Sequence, residues 1–403
     1  MDWTTGRYEN SDAPAGERWR VVIAGDWAPR HRYAALLADE PESCYGNLLP
    51  LLRDNDLRIV NVETVLGSEG TPIPKNGPHL SADPATIASL TSVPWDVATL
   101  CNNHVFDHGP EGLKVTIERL QAAGLATVGA GLAQADAEAT LRLTVKGQRV
   151  AIVNAGEGEE NRCKDGGPGV SGFDEERLAA RVRDLRETGH VVIAIIHAGR
   201  EYVPVPPPYI HRWYRRLADA GAHLVVGGHP HVPQGVEVRN GCPICYSTSN
   251  FLFWFDQPAK SREGYVVQAE FVGDTLAALQ LLPYQAEPEG IRRMTPAEQT
   301  ALYEQLRVVS EPLRDPALIA AHWEAYSEQI GNGMLDGLRR QLTLMETNAL
   351  AGAENLRNYL DTPAHRELIL TWLRLIMEGR TGQAAPWAVD LLAQWAERAT
   401  VPA

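Results

Sequence analysis

Two imidazoles stand two positions apart in "GGHPH" (227–231), directly after the apolar run "AHLVV". Either they cap a polar turn or they point into a cleft and bind metal. The doublet alone does not decide. Side chains of metal-ligand type recur in the same setting elsewhere. Asp26 closes "WRVVIAGD", and Asn61 and Glu63 close "LRIVNVET". Asn102, Asn103, His104 and Asp107 follow "WDVATL", and His197 and Glu201 follow "HVVIAII". Each has a bland reading by itself. Asp26 suits a turn cap, the two asparagines tolerate left-handed backbone, His197 suits a satisfied core histidine, and Glu201 suits the surface. Five successive strand-like runs that each end in a metal-competent residue are far less expected by chance. A mixed set of Asp, Glu, Asn and His fits divalent Mn, Fe or Zn. Paired ions of that kind polarise a phosphoryl or acyl oxygen and make hydroxide available at neutral pH. No cysteine shares these positions, which argues against a structural zinc.

The elements that must hold these side chains are short apolar runs rich in β-branched residues, read as buried strands. They cover 19–26, 57–64, 95–104, 149–156, 190–199 and 222–231. Helical stretches separate them, among them 109–124, 174–187 and 207–220. Pro110 and Gly124 suit the start and stop of the first of these. In open α/β sheets a site forms beyond the carboxyl ends of the strands, which is where the candidate ligands fall. "GVEVRN", "CPICYSTSNF" and "GYVVQAEFVGDTLAALQLLP" read as antiparallel strands and hairpins. From about residue 295 helical periodicity takes over. Thr295, Pro296 and Glu298 form a capping-box opening, and Asp-Pro and Thr-Pro openings follow. Leu318, Trp323, Leu370, Trp372, Leu375 and Trp395 supply apolar positions that must pack on something. The division expected is a flexible tail over 1–18, an α/β domain over 19–290 and a helical extension over 291–403.

The net charge of −14 disfavours nucleic acid as a partner, because a phosphate backbone needs a basic surface. Five cysteines in 403 residues do not make a disulfide framework. The pair Cys242 and Cys245 reads as small residues in a strand. No run approaches a membrane span, and the polar start lacks a signal pattern. A cytoplasmic protein is expected, with room for a homodimer.

The stretches "VVIAGDWAPR", "IVNVETVLG", "LCNNHVFDHGPEGL", "IIHAGREY", "VVGGHPHVPQGVE" and "YSTSNFLF" occur in the order seen in the bacterial capsule-synthesis CapA family. That family, also called poly-γ-glutamate synthesis proteins, is similar to the calcineurin-like metallophosphoesterases. The resemblance covers about residues 19–285. It implies a metallophosphatase-like four-layer α/β/β/α sandwich with two divalent ions between the sheets. It places Asp26 and His231 on a first metal, Glu63 as the bridge, and Asn103, His197 and His229 on a second. It assigns His104 to the leaving group or transition state, and Asp107 and Arg200 are expected as catalytic residues with it. Arg200 is a candidate anchor for a carboxylate or phosphate, or a solvated loop arginine. Lys75, Arg30, Arg162 and Lys164 are further cations that the sequence does not rank. Asn61, Asn102, Glu201 and Asn250 are expected at the substrate. Three departures stand out: Ala28 replaces the histidine of Asp-x-His, Glu63 replaces an Asp, and Ala198 replaces a Trp.

The function expected is a metal-dependent hydrolase of a phosphoester or a related acyl or amide bond, on a small or peptide-like anionic substrate. Two alternatives stay open. One is accessory work in making or trimming γ-glutamyl or other amide-linked compounds. The other is a non-catalytic, metal-stabilised subunit of a polymer-synthesis complex.

Overall fold

The computed structural model describes residues 1–254, 256 and 259–400, with backbone alone for 397–400. Among these residues two large sheets form. The first has eight strands: β1 (Arg7–Glu9), β2 (Arg18–Trp27), β3 (Leu57–Val62), β4 (Val97–Thr99), β5 (Ala126–Val128), β12 (Glu263–Val272), β13 (Thr275–Glu287) and β14 (Gly290–Arg293). Their order is β1-β13-β12-β2-β3-β4-β5, with β14 beside β13. The second has six: β6 (Leu141–Val145), β7 (Gln148–Gly156), β8 (Val191–His197), β9 (Leu224–Gly228), β10 (Val236–Arg239) and β11 (Cys242–Cys245), in the order β10-β11-β9-β8-β7-β6. The central neighbours β2-β3-β4-β5 and β7-β8-β9-β11 run parallel. Antiparallel strands flank them.

Alternation along β2 shows why the layers stack. Val21 and Ile23 join the core shared with the second sheet. Val22 and Ala24 face the other way, into a core with Leu37, Leu90 and Leu113. Successive side chains of a strand point to opposite faces, so a strand apolar on both is covered on both. The covers on the first sheet are α1 (Arg32–Asp39), α2 (Ile87–Ser92) and α3 (Gly109–Ala122). On the second they are α4 (Glu175–Glu187) and α5 (Pro208–Asp219). This is the four-layer α/β/β/α sandwich.

A helical region follows: α6 (Pro296–Ser310), α7 (Pro316–Thr347), α8 (Ala349–Asp361), α9 (Pro363–Met377) and α10 (Pro386–Thr400). The capping box at Thr295 and Glu298 forms as its spacing predicts. Asp315 caps α7 through Ala317 N. Trp323, Trp372, Leu375 and Trp395 are buried, and Leu318 partly so. Leu370 departs from expectation. It is 55% exposed, on a face of α9 that also shows Leu373, Ile376 and Met377 to solvent. Helical periodicity marks a face but not which neighbour covers it.

Two boundaries also differ. The N-terminal tail is not loose over its whole length. Arg7–Glu9 adds an edge strand on β13, and Arg7 and Arg18 both bind Glu270. Strand β14 crosses the expected break at 290/291, and Leu302, Leu306, Val309 and Leu313 join the main core. Residues 401–403 of the expected extension lie outside the described residues. Cys242 and Cys245 are free, buried residues of β11. No helix among the described residues is long and apolar enough to cross a membrane.

Candidate metal centre

The carboxyl ends of β2, β3, β8 and β9 converge between the sheets. Gly25 makes the first approach possible, since a Cβ there would lie 2.1 Å from Ser249 O. That closeness lets the end of β2 run beside residues 249–250, so that Phe251 N donates to Asp26 O. Asp26 and Glu63 are fully buried, and His197, His229 and His231 nearly so. Both imidazoles of the doublet sit on left-handed backbone, at φ 96° for His229 and 56° for His231. That conformation is costly for a non-glycine residue and persists only where the surroundings over-determine it.

Two groups of ligand atoms result, each with its members within 4.8 Å of one another. One holds Glu63, His197 and His229, and the other Asp26, Glu63 and His231. Glu63 is common to both. Asn103 Oδ1 lies 3.2 Å from His197 Nε2, beside the first group. Glu63 Oε1 is 3.4 Å from His197 Nε2, and Asp26 Oδ2 is 3.7 Å from His231 Nδ1.

The residues fit divalent cations on the structure's own terms. Asp26 Oδ2, both oxygens of Glu63 and His229 Nδ1 are buried without a hydrogen-bond partner. Orphaned buried acceptors cost free energy unless something satisfies them. Burial, then the neighbouring Glu63, pushes Asp26 up to about 7. Burial pushes Glu63 up to about 7 as well, against the opposing pull of His231. Burial drives His197 down to about 4 and His229 well below its ordinary value. Neutral imidazoles facing destabilised carboxylates are what a cation relieves. A Cβ on Gly228 would sit 3.2 Å from Asp26 Oδ1 and 3.3 Å from His197 Nδ1, so glycine keeps this cradle open. Ala28, at the position of the replaced histidine, is buried with Leu80 and Phe253. No nitrogen ligand comes from that position.

Beside the two groups stands His104. Its Nδ1 is 2.7 Å from Asp107 Oδ2. Lys75 Nζ binds Asp107 Oδ1 at 2.6 Å and Asn103 O at 2.7 Å. Burial, then Lys75, lowers His104 to about 4 against the pull of Asp107. The resting ring is neutral, so its first act in proton transfer is to accept. Asp107 is fully buried and committed to His104, Lys75 and Leu80 N.

Three residues expected at the substrate have hydrogen-bond partners within the protein. Asn102 accepts from His104 N and Val105 N and donates to Val62 O, so it clamps its own loop. Asn61 donates to Asp26 Oδ1 at 2.8 Å. Asn250 Oδ1 lies 2.7 Å from His231 Nδ1 and its Nδ2 donates to Ser261 O. Buried amides inside a cradle are consumed by orienting it. Glu201 and Arg200 do line the cleft, a space of about 190 Å³ that also reaches Asn103, His104 and His229. Of the other cations, Arg30 stacks over Phe253, and Arg162 and Lys164 are exposed.

Sequence reasoning passed over several cleft residues. Glu157 follows β7 directly and obeys the same strand-end rule as Asp26. It is buried, bonded to Tyr209 and pushed up to about 7 by burial. Glu159 lines the cleft and is pushed up to about 8 by burial. Asn358, Thr362 and His365 reach the same cleft from α8, its end and α9. No local signal marks these three, because only tertiary packing brings the helices there.

Comparison with known proteins gives relatives consistent with the motif order. The chain is 28% identical over 233 residues to the "PGA biosynthesis protein CapA" of Bacillus subtilis (strain 168), across 56% of this chain and 61% of that one. It thus spans about three-fifths of that relative's length. It is 25% identical over 288 residues to a Mycobacterium tuberculosis (strain CDC 1551 / Oshkosh) protein named "Probable polyglutamine synthesis accessory protein", across 66% and 76%. Among solved structures, a 5'-nucleotidase precursor from Thermus thermophilus aligns with a TM-score of 0.43 at 16% identity, over 74% of this chain and 59% of that one. The family described as "Bacterial capsule synthesis protein PGA_cap" matches residues 20–254, more than half of the chain, and the chain belongs to that family.

Proposed function

We propose that the protein is a hydrolase dependent on two divalent cations, acting on a phosphoester or a related acyl or amide bond in capsule or poly-γ-glutamate synthesis. The observation that carries this reading is the pair of ligand groups sharing Glu63, with its carboxylate oxygens buried and unpartnered. Asp26 and His231 would hold one cation and Asn103, His197 and His229 the other, with Glu63 between them. Divalent ions bound there supply Lewis acidity and hydroxide at neutral pH. The protein's own groups do the rest. Asn61 and Asn250 aim Asp26 and His231. Asp107 takes the Nδ1 proton of His104 in a hydrogen bond, which fixes the tautomer and leaves Nε2 to accept a proton. Lys75 holds Asp107 in place. Once protonated, His104 passes that proton to the leaving group. The walls around the ligands exclude bulk water and strengthen each of these interactions.

A second reading, an accessory subunit of a synthesis complex, is favoured by the apolar face of α9 at Leu370, Leu373, Ile376 and Met377. It also agrees with the word "accessory" in the mycobacterial relative's name.

The test measures metal content and turnover on the same preparations, across phosphoesters and γ-glutamyl amides, with and without chelator. Turnover that disappears with chelator and returns with Mn, Fe or Zn is the expected result. His104→Ala should keep its metal and lose about 10²–10⁴-fold in rate, the usual worth of positioned acid–base catalysis. Metal-loaded protein inert on the whole panel would leave the accessory reading standing.

A further inference from the structure

We propose that Arg200 anchors an oxyanion subsite at the mouth of the cleft, built jointly by the loop after β8 and the helical extension. The substrate then carries a second anionic group, a carboxylate or a phosphoryl group, away from the bond that is broken. This rests on the hydrolase reading above and adds to it a substrate class and a specificity element.

The loop after β8 is held from three helices. Tyr326 of α7 accepts from Arg200 Nε at 3.4 Å, and His365 of α9 accepts at Nε2 from Arg200 Nη1 at 2.7 Å. Trp395 of α10 donates its indole N–H to Tyr202 O at 3.2 Å. Tyr202 itself has φ 61°, a strained backbone for an aromatic residue that such fastening must hold in place. A solvated loop arginine would have none of this.

Charge makes the argument sharper. Arg200 is mostly buried; its two hydrogen-bond partners are neutral groups, and the neighbouring Glu201 carboxylate attracts it without forming an ion pair among the described residues. Buried charges are normally paired, because desolvating one without a counter-charge is costly. Two of the five donors of the fork are taken, and the rest remain for a planar or tetrahedral oxyanion. His365 lines the same cleft. Because its Nε2 accepts from Arg200, its proton sits on Nδ1. Burial, then Arg200, keeps that ring neutral by lowering it to about 4. The remaining donors of the guanidinium and the His365 ring that aims it thus line the same cleft as Asn103, His104 and His229. Arg200 would touch the ligand; His365 and Tyr326 are positioning residues that aim it.

The experiment titrates full-length protein calorimetrically with inorganic phosphate and with glutarate, as purified and after chelation. Arg200→Gln is expected to weaken binding of at least one probe by at least 10-fold in both metal states, since charge-assisted bonds of this kind are worth about that or more. The probe that loses more identifies phosphoryl or carboxylate as the preferred group. Arg200→Lys should recover only part, because an ammonium lacks the fork. His365→Leu should weaken binding several-fold and His365→Gln, which restores an acceptor, should bind nearly as wild type. A merely structural role for His365 would not be rescued this way. In turnover, Arg200→Gln should raise KM for esters bearing a remote charge at least 10-fold more than for neutral esters. Equal affinity of Arg200→Gln and wild type in both metal states, or equal loss on charged and neutral esters, overturns the subsite. If Arg200→Gln does not fold, the His365 pair carries the test, and absence of the Leu-to-Gln difference overturns it. Arg200-dependent binding without any turnover removes the hydrolase reading alone; turnover with Arg200-independent binding removes this inference alone.

Discussion

At the scale of single residues, Glu63 holds an unfavourable position until a cation arrives. Its two oxygens are buried and unpartnered, and burial raises it from 4.5 to about 7. In the unfolded chain the same group releases its proton near 4.5. Between those values the folded state holds a proton that the unfolded state has lost. Stability therefore falls as pH rises through that window, and the penalty is constant above it. With chelator at pH 8, Glu63→Gln should be more stable than wild type by about 3 kcal/mol, from a shift of this size. Below about pH 4.5 the advantage should vanish. Saturating Mn or Zn should reverse the order, because wild type gains binding energy that the variant lacks. Denaturant titrations at pH 4, 6 and 8, with and without metal, read all three statements. A variant that is less stable than wild type in chelator at pH 8 contradicts the proposed cradle.

Between elements, the helical extension depends on close packing of α7 with α9. A Cβ on Gly331 would lie 2.3 Å from Trp372 Cγ, whereas one on Gly333 would meet nothing within 4 Å. Both glycines are interior to α7, where alanine is favoured by about 0.5–1 kcal/mol. Gly333→Ala should therefore gain roughly that much. Gly331→Ala must displace an indole that is 6% exposed, and overpacking of this kind costs about 1–3 kcal/mol. The two substitutions, chemically identical and two residues apart, should move the melting temperature in opposite directions. Equal shifts would mean that α9 does not sit on α7 as described. The same contact matters to the cleft, because α9 carries His365 and α7 carries Tyr326.

For the molecule as a whole, the extension and the sandwich share one core. Leu302, Tyr303, Leu306, Val309 and Leu313 pack in the cluster that lies between the sheets and under α4 and α5. Each such side chain is worth roughly 1.5–3 kcal/mol when buried. Five of them together rival the ~5–15 kcal/mol total stability of a folded protein. A chain ending at residue 294 should be insoluble, or should melt far below wild type and lose metal. Calorimetry and metal analysis of the truncated chain check this. A truncated chain that melts within a few degrees of wild type, with metal retained, would make the helices an independent appendage.

Much of this is legible in the sequence. Strand-end placement of Asp26, Glu63, His197, His229 and His231 is a local pattern, since apolar runs mark buried strands and parallel strands open a cleft at their carboxyl ends. The capping box at Thr295 is likewise local, a matter of spacing within one turn. Which groups of these residues share space is not local. Glu63 stands between two groups because β2, β3, β8 and β9 come from two sheets whose meeting depends on the packing of both faces. Asn61, Asn102 and Asn250 look like any other cleft amide in sequence. Only the structure gives their partners: Asp26 for Asn61, the backbone of its own loop for Asn102 and His231 for Asn250. Leu370 has the periodicity of a core residue, but burial is a property of the neighbour, and α9 turns that face outward. The loop "HAGREY" shows an arginine beside a ligand. What that arginine meets was decided 126 and 165 residues away, where two helices with no chemical motif of their own fold back over the cleft.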